Sequence, residues 1–324
     1  MAIRVRITLH FFIFQSIQFT VMWVLFVAIV VLNASVIAAL LCTNARKSRM
    51  NFFIMQLAIA DLFVGLIYVF PDIIQKITIA WLAGEFMCKT VKFLQAVVMY
   101  ASTYVLVALS IDRCDAITNP MNFSGSWNRA RALIVSAWLI SIVFSIPLLI
   151  LYEVKEVQGQ MQCWIDLGTP RRWQIWMSLI SIMIFVLPAL TIAACYAVIV
   201  LTIWTKSKAV VMSPPINSRR TKTMRNVFVL CWSPYIVFDL LQVYDHIPPT
   251  QNNLAIATLI QSLAPLNSAA NPLICCMFSP HIYTSLRRVA PYKWILNRGR
   301  SSSMTRAPVD TRRTQLLVLV SSRD

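Results

Sequence analysis

The sequence predicts an all-α integral membrane protein, a bundle of seven helices with its N-terminus outside. Three observations carry this reading. The chain is 58% hydrophobic and 13% charged, with a mean hydropathy of +0.69, too apolar for a soluble protein of 324 residues. Seven apolar runs are long enough to cross a hydrocarbon core, which takes about 20 residues of helix. Lys and Arg gather in the short segments on one side of those runs.

The first run, Ile17 to Leu41, the second, Phe52 to Tyr68, and the fourth, Ala132 to Leu151, hold few charges. The third, Met87 to Ala116, and the fifth, Trp173 to Trp204, exceed the minimum, as tilt or extension into water allows. The sixth, Val227 to Tyr244, and the seventh, Leu254 to Phe278, each contain proline, and the seventh adds Asn267, Ser268 and Asn271. Helix breakers and amides on long apolar segments suit a membrane bundle with a polar, movable interior, where neighbouring helices and buried water satisfy the freed backbone groups.

Orientation follows from the basic residues. Arg46, Lys47 and Arg49 follow the first run, Arg129 and Arg131 precede the fourth, and Lys206 to Arg225 separate the fifth from the sixth. Arg287, Arg288, Lys293, Arg298 and Arg300 follow the seventh on the same side, which is therefore cytoplasmic. The net charge of +17 forms no aromatic-laced stripe, so topology explains it and no nucleic-acid partner is expected. Arg4 and Arg6 mildly resemble a signal-peptide start, but no clear small-residue cleavage site follows, and the first run reads as a retained helix. The expected division is an extracellular segment over 1–16, a seven-helix domain over 17–278 and a basic tail over 279–324, with the lipid membrane as the surrounding partner.

Several function classes are disfavoured. The three histidines, His10, His246 and His281, are isolated, no CxxC or HExxH occurs, and six glycines are too few for a phosphate-cradling loop, so neither an enzyme nor a metal site is expected. No internal repeat is visible, which argues against an inverted-repeat transporter. The sequons at Asn33 and Asn122 fall in a span and a cytoplasmic loop and should stay unmodified. Of eight cysteines, Cys88 and Cys163 face the oxidising side, where a bridge would pin the loop after the fourth span over the bundle; two free thiols are the alternative.

The intramembrane polar residues are the candidate site. An ionised Asp61 inside an apolar span costs at least a few kcal/mol unless compensated, so it should face the interior. Asn33, Ser102, Asn267, Ser268 and Asn271 are its candidate neighbours, forming either an oxygen-rich pocket for a hydrated sodium ion or a purely structural hydrogen-bond network. Asp112 beside Arg113 at an inner helix end reads as a releasable latch, against the plainer reading of a snorkelling Arg. Pro188 and Pro234 permit kinks, and Trp232, one turn from Phe228, is either a rotating element at the pocket floor or core filler.

Together these residues resemble the rhodopsin-like G-protein-coupled receptors. Asn33, Asp61, Asp112-Arg113, Trp138, Pro188, Pro234 and Asn271-Pro272 stand in order at that family's marker of each span. Cys88 and Cys163 stand where it forms its outer disulfide. RKSRMNFFIMQLAIADL, ASTYVLVALSIDR, QCWIDLG and the stretch from CWSPYIVFDLLQVY to LNSAANPLI look like the vasopressin and oxytocin receptor relatives, and most like arthropod crustacean cardioactive peptide receptors. The resemblance implies a short amphipathic eighth helix, a small disulfide-closed amidated peptide as agonist, and a heterotrimeric G protein as partner. It also implies peptide contacts at Lys92 and Gln95, which share a face of the third span. Asp72, Trp232, Tyr235, Asp239 and Gln242 are expected around the same pocket, as donors and acceptors over an apolar floor.

The chain departs from that pattern at its inner end. Cys114 stands where the family usually carries Tyr, a change that should be tolerable, whereas Cys275 stands where it carries an inward-reaching Tyr, and a thiol is a poor substitute for a phenol in that role. Only Val227 to Cys231 separate Asn226 from Trp232, and Pro214 and Pro215 lie upstream, so the inner half of the sixth helix is expected to be missing and signalling impaired. A non-signalling decoy or variant isoform, or a small-solute transporter built on Asp61 and the Asn-rich seventh helix, are the alternatives.

Overall fold

The computed structural model describes residues 2–42, 48–78, 80–119, 127–157, 159–207, 216–248 and 250–278. The expected eighth helix and the basic tail lie outside the described residues, as does Asn122. Helix α1 spans Ala2–Cys42, α2 Arg49–Thr78, α3 Gly84–Thr118 and α4 Trp127–Leu151. Helix α5 continues through Pro170–Ser181, Ile182–Val186 and Leu187–Ser207, and α6 spans Ile216–Val243. The seventh span is two helices, α7 (Gln251–Gln261) and α8 (Leu266–Phe278).

The ends of several elements differ from the apolar runs, for physical reasons. Helix α1 continues through the expected outer segment as far as Ala2. The inner part of α6 is present, correcting the expectation of a truncated lever. Between Pro215 and Pro234 there is no glycine or proline to break the helix, and Lys and Arg are good helix formers even where they end the hydrophobic pattern. Helix α6 thus reaches inward of Trp232 by roughly 24 Å at the helical rise. The seventh span is interrupted at Ser262–Pro265, because Pro265 has no N–H to continue the ladder. There the chain tightens, with Leu266 N donating to Leu263 O at 2.8 Å and Ser268 N to Pro265 O at 3.0 Å.

Two spans widen into π turns just before a proline. Val64–Val69 precedes Pro71 in α2, and Ile182–Val186 precedes Pro188 in α5. A proline ring clashes with the carbonyl four residues earlier, and a wide turn at that point relieves the clash. Gly65 in the first of these turns also lets α2 approach α1 closely: a Cβ there would lie 3.0 Å from Ile29 Cγ2.

Helix α3 is the axis of the bundle, with 83% of its most apolar window buried against 22% for α4, α5 and α6. The core around it includes Leu57, Val105, Leu106, Phe228 and Trp232, while the outward faces carry Val143, Leu190, Leu230 and Val237 toward lipid.

The loop after α4 is an antiparallel hairpin, β1 (Tyr152–Val157) with β2 (Gln160–Ile165), an exception to the all-helical expectation. Gly159 takes a positive φ of 78° at its turn, where glycine carries no Cβ penalty. Cys163 is bonded to Cys88 at the start of α3, and Trp81 N donates to Met161 O at 2.7 Å, so the hairpin is tied over that end of the bundle. On its exposed edge Lys155 Nζ lies 2.7 Å from Asp166 Oδ2; this hydrogen bond, with that from Gly168 N, holds the Asp166 carboxyl below the usual carboxylate range.

Candidate functional site

Beneath the hairpin, at the end opposite the basic loops, lies a cavity of about 310 Å³. Its walls come from α1, α2, α4, α5, α6 and the seventh span, and the hairpin adds Tyr152 and Ile165. Of the residues expected around a pocket, Asp72, Tyr235 and Asp239 line it. Lys92 and Gln95 stand behind the wall and act on it through Asp72: Lys92 Nζ lies 3.7 Å from Asp72 Oδ1, and Gln95 Nε2 donates to the same oxygen and to Tyr68 O, each at 3.2 Å. Lys92 also donates to Gln75 Oε1 at 3.2 Å and lies 6.0 Å from the Tyr152 ring centroid. Burial, reinforced by the neighbouring Asp72, pushes the Tyr152 phenol up to about 12, so it stays a neutral donor at physiological pH.

Trp232 is 2% exposed and lies below this cavity, outside its lining, in a ladder of rings. Tyr235 to Trp232 is 5.9 Å between centroids, Trp232 to Phe228 is 6.4 Å, and Phe228 to Phe185 is 6.1 Å. The ladder runs from the cavity wall to the π turn just before Pro188. Pro234 sits within α6 beside it. Gln242, one turn beyond Asp239, does not line the cavity.

Sequence reasoning passed over Gln18, Tyr68, Lys76, Trp173, Trp176 and Gln261, all of which do line it. Gln18 Nε2 donates to Thr258 O at 2.8 Å and Ser262 Oγ at 2.7 Å, fastening α1 to the interrupted seventh span. An amide near the end of an apolar run was the available signal; which helix it faced depended on packing.

The polar cluster around Asp61 assembles between α1, α2, α3 and α8. Asp61 is 0% exposed; Ser102 Oγ donates to its Oδ1 at 2.5 Å and Asn271 Nδ2 to its Oδ2 at 3.0 Å. Ser102 Oγ lies 3.4 Å from Ser268 Oγ, and Asn33 Nδ2 donates to Ser268 O at 3.1 Å and to Ile29 O at 2.9 Å. Asn267 is buried beside these residues, and its Oδ1 and that of Asn33 have no hydrogen-bond partner among the described residues. One carboxylate, two hydroxyls and two spare amide oxygens are the hard donor set that a hydrated sodium ion takes, so the residues fit that ion.

At the inner end Asp112 is fully buried and pairs with two cations. One oxygen meets the guanidinium of its neighbour Arg113, and Oδ1 lies 2.5 Å from Nη2 of Arg49 at the start of α2. The sequence shows Arg49 as one of the basic residues that set topology, and the pairing with Asp112 comes from packing. Pro272 and Cys275 are buried on the inner half of α8.

A membrane bundle with a capped outer cavity, a buried acidic centre and an ion-paired arginine at its inner end defines the class of seven-helix receptors. The family model described as 7 transmembrane receptor (rhodopsin family) matches residues 32–274, three quarters of the 324 residues. The chain belongs to that family. It is similar to the neuropeptide S receptor of Mus musculus, 38% identical over 314 residues covering 90% of this chain and 82% of that protein. The human neuropeptide S receptor is 38% identical, covering 84% of this chain and 79% of its own. The isotocin receptor of Catostomus commersonii is 30% identical, covering 79% and 72%. The family is one of receptors, multi-pass in the plasma membrane, which leaves the transporter reading without support.

Proposed function

We propose that this chain is a plasma-membrane receptor for a small neuropeptide that couples to heterotrimeric G proteins. The observation that carries the reading is the outer cavity, walled by polar and aromatic side chains and roofed by the disulfide-tied hairpin, in a chain similar to receptors named for neuropeptide S, isotocin and oxytocin. A peptide brings backbone amides and mixed side chains, which Tyr235, Asp239 and Gln261 on one side and Asp72 with its partners Lys92 and Gln95 on the other are suited to meet. The finer reading is a disulfide-closed, amidated peptide of the crustacean cardioactive type, resting on the motifs around Asp112-Arg113 and Asn271-Pro272.

Signal transfer then uses the ring ladder. A ligand that presses on Tyr235 shifts Trp232 and Phe228 against α5, and α6 bends about Pro234. Release of Arg113 from Asp112 frees the inner crevice for the G protein. With the inner part of α6 in place, the decoy reading loses its argument from a missing lever and keeps only the departure at Cys275, and this supports a chain that signals. Sodium, where bound, would be held by Asp61, Ser102 and Ser268, and the ion supplies a positive charge that stabilises the collapsed cluster.

The test is calcium and cyclic-AMP signalling in transfected cells challenged with neuropeptide S, oxytocin and crustacean cardioactive peptide, with surface expression measured in parallel. A response to the last alone supports the finer reading, a response to either of the others supports only the coarser one, and silence from a surface-expressed chain toward all three counts against both.

A further inference from the structure

We infer that Asp239 is the anchor for a cationic group of the ligand, a guanidinium or an ammonium, held against the aromatic wall of the outer cavity. The inference deepens the peptide-receptor reading and rests on it for the ligand's identity.

The cavity holds two carboxylates in different states. Asp72 is compensated, with Lys92 at 3.7 Å and Gln95 donating at 3.2 Å, and Lys76 lines the same side. Asp239 has only neutral groups to stabilise it. It is 3% exposed, its Oδ1 accepts a hydrogen bond from Gln261 Nε2 at 3.2 Å, and the Tyr235 phenol one turn away also favours the carboxylate. Its Oδ2 has no partner of hydrogen-bond geometry, and no Lys, Arg or His pairs with it, among the described residues. A buried carboxylate with an unused oxygen is costly to keep in a folded chain unless something that arrives later compensates it.

The surroundings select the compensating group. Trp173, Trp176 and Tyr235 line the cavity with Asp239, and ring faces attract a cation that has left water. Trp232 lies 5.9 Å beyond Tyr235, so a cation seated on Asp239 contacts the top of the ring ladder. A neutral amide could use the spare oxygen, but it would leave the charge of Asp239 unpaired. The cavity is thus polarised, compensated toward α2 and anionic toward α6, and a ligand with one basic group has one favourable orientation in it.

The test uses the purified full chain and two probes of equal shape, Nα-acetyl-arginine amide and its neutral counterpart Nα-acetyl-citrulline amide, titrated at millimolar concentration in thermal unfolding. The expected result is stabilisation by the arginine amide and little by the citrulline amide. Asp239→Asn should weaken the arginine amide about tenfold or more, the size of one lost charge-assisted contact, while Asp166→Asn, on the exposed edge of the hairpin and outside the cavity lining, should not. Asp239→Asn keeps an acceptor for Gln261; should it fail to fold, protection of Asp239 from carbodiimide coupling by the arginine amide, read by mass spectrometry on the wild type, gives the same answer. Equal effects of the two amides, an arginine-amide effect unchanged in Asp239→Asn, or no protection of Asp239 overturns the inference. Peptide-driven signalling without any arginine-amide effect would sink this inference alone. An arginine-amide effect through Asp239 on a chain that no peptide activates would leave it standing and count against the peptide reading.

Discussion

Arg49, the first residue of α2, places its Nη2 2.5 Å from Oδ1 of Asp112, while Arg113 takes the other oxygen of the same buried carboxylate. Asp112 is therefore a bridge between two helices, and α2 helps to fix the carboxylate that restrains Arg113. Replacing Arg49 by Gln leaves that carboxylate with one cation and frees the inner end of α3 to move. Ligand-independent signalling should rise several-fold per receptor at the surface, and stability should fall by about 1–3 kcal/mol. Arg49→Lys should retain part of the restraint, since an ammonium supplies the charge but not the fork. Basal second-messenger output normalised to surface expression checks both.

The Asp61 cluster predicts a dependence on sodium. Asp61→Asn keeps the size of the side chain but removes the charge that Ser102 and Asn271 now approach at 2.5 and 3.0 Å. Exchange of sodium for choline should change agonist affinity in the wild type and not in this variant. Labelled-peptide binding in the two buffers is the measurement, and equal sodium sensitivity in both proteins would contradict the assignment.

Helix α6 gives the sharpest test of coupling. Thr223→Pro interrupts the helix between Ile216 and Trp232, removing a backbone donor and crowding the preceding turn, at about 3 kcal/mol or more. Peptide binding at the far end should persist while G-protein activation is lost. A variant that signals normally would show that the inner part of α6 is not the lever.

Gly65 should tolerate no side chain without cost. A Cβ there meets Ile29 Cγ2 at 3.0 Å and Val30 Cγ2 at 3.2 Å, both on β-branched residues whose rotamers are stiff in a helix. Gly65→Val should lower stability by about 1–3 kcal/mol, and Ile29→Ala added to it should return part of the loss. Thermal unfolding of the single and double variants measures this.

The hairpin can be released chemically. Cys163→Ser cuts the tie between β2 and α3, leaving Trp81 N to Met161 O as the described hydrogen bond from the preceding loop onto the hairpin. Loss of such a crosslink typically removes about 2–4 kcal/mol, and peptide potency should fall more than basal signalling because the roof of the cavity moves. Concentration–response curves against surface expression separate the two.

Much of this protein is written locally. Membrane spans follow from runs of apolar residues, and orientation from Lys and Arg, because the bilayer is a strong and simple solvent. The polar residues were legible for the same reason: Asp61, Asn267 and Asn271 are expensive in lipid, so they turn inward, where Asn271 bonds Asp61 and Asn267 is buried. Hydropathy was a poor guide where helix and membrane span part company. Helix α6 continues through a basic segment because Lys and Arg favour helix, and the seventh span breaks at Pro265 although its neighbours are apolar. Tertiary structure alone decided the pairings: Arg49 with Asp112, Gln18 with Ser262, Lys92 and Gln95 held against Asp72, and Asp239 with no cation paired to it among the described residues. These depend on how helices distant in sequence rotate and pack, and periodicity within one helix carries no information about the residue that faces it from another.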